Sequence, residues 1–260
     1  MTNALRKLED EFKHLKVETN LNNIDIEEDK SPLVNHLIKD FKKLPKSYKS
    51  LIKKIDNEME HKEGCRTEEM MEIMKTAKIP KRDIMKFGLI MENSQYTRNL
   101  IWETKHYALI LLTWNPGKIG ENNKIIPNQS VIHTHGGSKC WARVLANKMN
   151  EKKYDMIPFG ADEDTEETID VNELYNKKNK KPGKLRKYSD QTASEGEVLY
   201  INDSIGMHSL GNPTERYSYT LHCYAPGIKT CKYFTKDDKN LRTATMEYHG
   251  ERKQVNHLKQ

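Results

Sequence analysis

The chain has 260 residues, of which 35% are hydrophobic and 32% charged, and carries a formal net charge of +6. That length allows one large domain or two small ones, and apolar and aromatic residues are too plentiful for a wholly disordered chain. Lysines and arginines are scattered among acids rather than gathered into a stripe, which argues against nucleic acid as a partner. The opening segment MTNALRKLEDEFKHLKVE is charged throughout, and no run approaches the roughly 18 apolar residues of a membrane span. Neither a signal peptide nor a membrane contact is expected, and the expected location is cytoplasmic. Cys65, Cys140, Cys223 and Cys231 form no CxxC pair, so they are expected as thiols rather than as a zinc knuckle or a thioredoxin-like centre.

In chain order, the first hundred residues read as helical. SPLVNHLIKDFKKL offers Ser31 as N-cap, Pro32 at the first helical position, and Leu33, Val34, Leu37, Ile38, Phe41 and Leu44 on one stripe. A second helix is expected to start after Thr67 and to stop before Pro80, with Met70, Met71 and Met74 as core filler. From Tyr107 the pattern changes. YALILLTW reads as a β run closed by the turn residues NPG, and KCWARVL, GEVLYIND, YSYTLHCYA and ATMEYH read as further strands. Short strands separated by Gly, Pro and Asn turns predict an antiparallel sandwich or small barrel rather than a βαβ sheet. Two segments, NPGKIGENNKIIPNQS and Glu151–Ser194, read as surface loops. The second joins the acidic GADEDTEETID to the basic NKKNKKPGKLRK, which either attract one another weakly or serve as an interaction element. The domain reading is a helical region over 1-100 packed on a β domain over 101-260, with a charged insertion at 151-194, all in one structural domain.

The stretch VIHTHGGSKCW carries the first chemical signal. In a strand, residues i and i+2 share a face, so His133 and His135 would aim both imidazoles at one point. By itself the pair also fits two solvent-facing side chains, and a third ligand is needed. INDSIGMHSLGN offers His208, followed by Gly211 and Asn212, where a turn could carry it back toward the pair; a polar turn residue is the other reading. Three neutral imidazoles with no nearby thiolate pair or carboxylate would suit a borderline divalent metal with positions left open for substrate. In TLHCY, strand periodicity puts Thr220, His222 and Tyr224 on one face and Leu221, Cys223 and Ala225 on the other. Enclosed, the first row would form a hydrogen-bonded relay; exposed, it would be an ordinary strand surface.

Taken together, QYTRNL, IHTHGGSKCW, YINDSIGMHSLGN and SYTLHCYAPG resemble the thiol dioxygenases of the cupin superfamily, specifically the cysteine dioxygenase family, over about residues 30 to 250. The resemblance implies a mainly β fold, a cupin-type antiparallel β-barrel (jelly roll) with an N-terminal helical region. It implies mononuclear non-haem Fe(2+) held by His133, His135 and His208, and no organic cofactor. Most cupins place a glutamate after the HxH pair; here the family's cysteine matches Cys140, implying a thioether crosslink to Tyr224. Arg98, assisted by Tyr96, matches the family's carboxylate-binding arginine. Thr220, His222 and Tyr224 match a Ser-His-Tyr relay in which one hydroxyl gains a methyl group and the donor and acceptor inventory is unchanged. YAPG matches a turn with a cis peptide, which directs attention to Ala225-Pro226.

Two departures stand out. Thr134 lies where the family is commonly acidic, removing an acceptor for an imidazole, and Trp141 is bulkier than the apolar residues expected beside the crosslinking cysteine. Met246 reads either as pocket lining or as core, and His249 and His257 read as surface residues. The implied reaction takes L-cysteine and dioxygen as partners, in a monomeric enzyme, and places both oxygen atoms on sulfur to give cysteinesulfinate. A dioxygenase for 3-mercaptopropionate or another small thiol shares the three histidines. A non-catalytic metal-binding cupin is the reading from a different class, and the intact Tyr96, Arg98 and Tyr224 speak against it.

Overall fold

The computed structural model describes residues 40–62, 64–176, 183–235 and 241–249. The chain divides into two compact units, Met1–Glu69 and Met70–Gln260. In the first, helix α1 (Lys46–Met59) begins behind Pro45 and buries Tyr48, Leu51, Ile52 and Ile55 on the single apolar stripe that its spacing dictates. Of the stripe expected just upstream, Phe41 and Leu44 are buried, whereas Ser31, Pro32, Leu33, Val34, Leu37 and Ile38 lie outside the described residues. Helix α2 (Thr67–Thr76) buries Met70 and Met74, one turn apart, and stops before Pro80 as its sequence requires; α3 (Lys81–Met85) is a short turn of helix behind that proline. No helix among the described residues is long and apolar enough to cross a membrane.

The strands are, in chain order, β1 (Tyr96–Glu103), β2 (Ala108–Trp114), β3 (Lys118–Ile119), β4 (Ile125–Ile126), β5 (Asn128–Gln129), β6 (Lys139–Ala146), β7 (Lys148–Pro158), β8 (Gly183–Ser194), β9 (Val198–Ile201), β10 (Met207–Asn212), β11 (Ser218–Ala225), β12 (Thr230–Phe234) and β13 (Leu241–Thr245). Helix α4 (Glu173–Asn176) lies between β7 and β8. Antiparallel pairing builds a five-stranded sheet in the order β1-β2-β11-β6-β9 and a four-stranded sheet in the order β5-β10-β7-β8. One core cluster draws Ile110, Leu112, Trp114, Cys140, Val144 and Tyr224 from the first sheet and Met149, Ala193 and Leu210 from the second. Strand β2 is buried along its whole length, which is why its sequence is continuously apolar instead of alternating.

Three expectations need correction. The mainly β domain with helices before it is present, but the expected closed barrel is not. Both sheets are open, with β1 and β9 ending one and β5 and β8 ending the other. Strand alternation specifies which face of each strand is buried; closure depends on ladders between edges, which short-range sequence pattern does not encode. The segment Glu151–Ser194 is also no surface loop. Its two ends form the long β7–β8 pairing, running from Lys148↔Ser194 to Pro158↔Gly183. Strand β8 is a polar, largely exposed edge strand, so its composition resembles that of a loop. The first hundred residues likewise contain the start of β1, which forms an edge of the larger sheet.

Candidate metal centre

His133 and His135 sit on an extended segment that joins the sheets only through isolated bridges, His133 to His208 and to Tyr233, rather than in a regular strand. The backbone exchange His133 N–H to His208 O (3.0 Å) and His208 N–H to His133 O (3.2 Å) brings β10 and its histidine alongside. The three rings lie with centroids 4.7 to 5.3 Å apart. One ligand atom from each can be chosen so that all three are within 4.8 Å of one another. Among the described residues this is the one cluster of three or more His, Cys, Asp or Glu side chains placed to share an ion.

The protonation of each ring follows from its surroundings. His133 Nδ1 lies 2.9 Å from Val131 O, and a carbonyl can only accept, so the proton is on Nδ1 and the Nε2 lone pair remains available. His208 Nδ1 is 2.8 Å from Glu151 Oε1, and donation to that carboxylate leaves Nε2 available in the same way. Among the described residues, neither ring nitrogen of the fully buried His135 has a partner. Burial lowers the pKa of all three, that of His135 and His208 well below the ordinary histidine value, so the rings are neutral ligands at neutral pH. A buried imidazole with two unengaged nitrogens, flanked by two others with oriented lone pairs, fits a borderline divalent cation.

The turn after His135 explains the paired glycines. Gly136 and Gly137 have φ of 62° and 80°, and a Cβ at Gly136 would collide with the Thr230 carbonyl oxygen. Asp203, in the turn after β9, accepts from His135 N–H (2.6 Å) and Gly137 N–H (2.7 Å). Tyr175, on α4, accepts from Gly136 N–H (2.9 Å) and pairs with the Thr134 hydroxyl, which also accepts from Lys232 N–H (2.9 Å). The neutral Thr134 is therefore engaged with a phenol and a backbone amide. The acceptor for an imidazole is supplied elsewhere, by Glu151.

Glu151, Asp203 and Tyr175 are the residues around the three histidines that sequence reasoning missed. Glu151 overturns the expectation of no carboxylate near the histidines, although it meets Nδ1 of His208 instead of acting as a fourth ligand. It is wholly buried, with Oε2 accepting from Gln191 Nε2 (2.7 Å) and lying 3.7 Å from Lys153 Nζ. A signal was present, because Met149 and Glu151 are two apart on β7 and share its buried face.

The second polar row is brought to the same place. On β11, Tyr224 stands directly opposite Cys140 of β6, and His222 opposite Ala142. Thr220 Oγ1 lies 2.8 Å from His222 Nε2; His222 Nδ1 lies 3.3 Å from Tyr224 OH and 3.7 Å from Cys140 Sγ. Trp114 Nε1–H donates to Thr220 Oγ1 at 2.8 Å, extending the row by a residue that the motif did not include. Burial pushes His222 down to about 3 and raises the Cys140 thiol and the Tyr224 phenol, so all three are neutral near pH 7. Trp141 points to the opposite face of β6, where it meets Tyr200 at 5.4 Å, and its bulk does not press on Cys140.

Arg98 on β1 lies with its guanidinium carbon 5.6 Å from the centre of the Tyr96 ring, which in turn packs on Trp114 at 4.5 Å. Its charge is felt at His133, Tyr96 and Tyr224. The Ala225-Pro226 peptide is cis. Met246 packs, partly buried, against the central core cluster.

A family model described as "Cysteine dioxygenase type I" matches residues 39–237. The chain belongs to the cysteine dioxygenase type I family. Among curated relatives it is 27% identical over 158 residues to cysteine dioxygenase type 1 of Rattus norvegicus, covering 60% of this chain and 64% of that one, with the same figures for Homo sapiens. It is 24% identical over 213 residues to the Danio rerio protein, covering 80% of this chain and 90% of the relative. The chain thus spans less than two thirds of the rat and human relatives it matches. His133, His135 and His208 match the three-histidine facial triad of a non-haem Fe(II) site, placed on this family's scaffold.

Proposed function

We propose that the protein is a non-haem iron dioxygenase that converts L-cysteine and dioxygen into cysteinesulfinate. The observation that carries this reading is the juxtaposition of three neutral imidazoles, within 4.8 Å at their ligand atoms, with an arginine whose charge reaches one of them, His133. When bound, iron supplies the one-electron chemistry by which triplet dioxygen and a closed-shell thiol can react. The protein's share is to bind, orient and hold protons. Arg98 offers a planar fork to the α-carboxylate, with the Tyr96 ring beside its guanidinium. In the polar row, Trp114 N–H donates to Thr220, the Thr220 hydroxyl to His222 Nε2, and His222 Nδ1–H to the Tyr224 oxygen. The Tyr224 O–H is thereby left as a donor toward the bound thiol.

The carboxylate contact favours cysteine and 3-mercaptopropionate over cysteamine, and of the two thiol acids only cysteine carries an amine that could also ligate the metal. Oxygen uptake with the three thiols in parallel is expected to give the highest kcat/KM for L-cysteine, by about tenfold or more over either competitor. Equal values would remove the basis for assigning cysteine.

Cys140 and Tyr224 are proposed to join through a thioether between Sγ and the ring carbon next to the phenol oxygen. Both partners lose a hydrogen, and the two electrons pass to dioxygen. Their cross-strand register supports it. After turnover, peptide mass analysis is expected to show the two segments joined with the loss of two hydrogens. Recovery of two separate unmodified peptides contradicts it. A cytoplasmic, monomeric enzyme is the accompanying proposal.

A further inference from the structure

The anchoring arginine is itself held by a segment that sequence reading left as surface. Arg98 lies on β1, which pairs with β2 on one side only and so exposes its other edge. At this point the chain beyond β13 returns to the edge. His249 N–H donates to Arg98 O at 2.8 Å, and Arg98 N–H donates to His249 Nδ1 at 3.1 Å. One residue therefore satisfies both backbone groups of Arg98, using a main-chain donor and a side-chain acceptor. Two residues earlier, the Glu247 carbonyl accepts from Arg98 Nε at 3.2 Å. The strap is tied down at its start by Met246 N–H to Lys229 O at 2.9 Å.

The consequence for the guanidinium is geometric. Fixing Nε–H on a carbonyl removes rotation of the guanidinium plane, and the Tyr96 ring limits its tilt. Nη1 and Nη2 then have no hydrogen-bond partner among the described residues, in a fork whose orientation is set before any ligand arrives. Ordering a long side chain on binding carries an entropic cost, which pre-orientation removes. Partial burial and the Arg98 charge lower the His249 pKa, so Nδ1 keeps the lone pair that the Arg98 amide requires.

We infer that His249 is a positioning residue for the carboxylate anchor, acting with the Glu247 carbonyl to hold Arg98 in the orientation that receives the substrate carboxylate. This rests on Arg98 being that anchor. The role belongs to binding rather than chemistry, so its loss is expected in KM and not in kcat.

Four iron-loaded proteins separate the possibilities: wild type, H249A, H249N and R98A, each assayed for cysteine kcat and KM and for inhibition by cysteamine, a thiol amine without a carboxylate. H249A is expected to raise the cysteine KM about tenfold with kcat within about twofold of wild type and unchanged cysteamine inhibition. In H249N the amide oxygen replaces Nδ1 as acceptor, and KM is expected to return to within about threefold of wild type. Loss of R98A affinity for cysteine with H249A unaltered overturns the strap alone. So does a parallel weakening of cysteine and cysteamine in H249A, which marks a general structural defect. An R98A variant with unaltered cysteine KM overturns the carboxylate reading and this inference with it.

Discussion

Replacing His135 with alanine is expected to lower affinity for ferrous iron by at least about 100-fold and to abolish thiol-dependent oxygen uptake. The magnitude follows from comparison: loss of a hydrogen-bond partner behind a metal ligand costs about 10–100-fold, and removing a ligand costs at least as much. His135 is the most diagnostic of the three, because neither of its ring nitrogens has a partner among the described residues. It donates no side-chain hydrogen bond whose loss would disturb the turn. The backbone contact that holds that turn, His135 N–H to Asp203, survives the substitution. Anaerobic loading followed by gel filtration and metal analysis measures the effect, with circular dichroism to show a native fold. Full iron occupancy in H135A would remove the three imidazoles as the metal site.

Arg98→Ala carries the second large effect. A site built to pair a carboxylate leaves that charge uncompensated when the fork is deleted, and kcat/KM for L-cysteine is expected to fall by about a thousandfold, mostly through KM. Arg98→Lys is expected to recover only part of this. An ammonium is a point donor that cannot present two parallel N–H groups, and it cannot hold the Glu247 carbonyl through an Nε–H while facing the ligand. Steady-state oxygen consumption against cysteine concentration is the measurement. A change of less than about threefold in R98A would place the carboxylate elsewhere.

How much of this was legible in the sequence depends on the range of the interactions involved. His133 and His135 could be paired from spacing alone, even though their segment is only an extended bridge. The row of Thr220, His222 and Tyr224 followed from the two-residue period of β11, whereas the register that sets Tyr224 opposite Cys140 is a property of the strand pairing. Trp114 belonged to a run that read as core, and nothing local tied its N–H to a hydroxyl far along the chain. Glu151 was hidden because KMNEKKYDMIP is polar enough to pass for loop, and only pairing with β10 puts its carboxylate behind His208. His249 was hidden for a related reason: its partner is the backbone of Arg98, and backbone groups leave no mark in a sequence. The open sheets escaped prediction because alternation within a strand carries no information about which edges meet.

The residues missed are mostly those that orient, not those that ligate. Glu151 sets the tautomer of His208, Asp203 and Tyr175 hold the His135 turn, and the Glu247–His249 strap holds Arg98. Such groups act through another side chain, so their identity is constrained by geometry more than by motif.

The most direct test of the central claim is oxygen uptake after anaerobic reconstitution with ferrous iron, with L-cysteine as substrate and the sulfur product identified. One dioxygen consumed per cysteine, with cysteinesulfinate carrying both oxygen atoms, is the predicted result. No uptake despite bound iron, or cystine as the product, would contradict the assignment of this site as a cysteine dioxygenase.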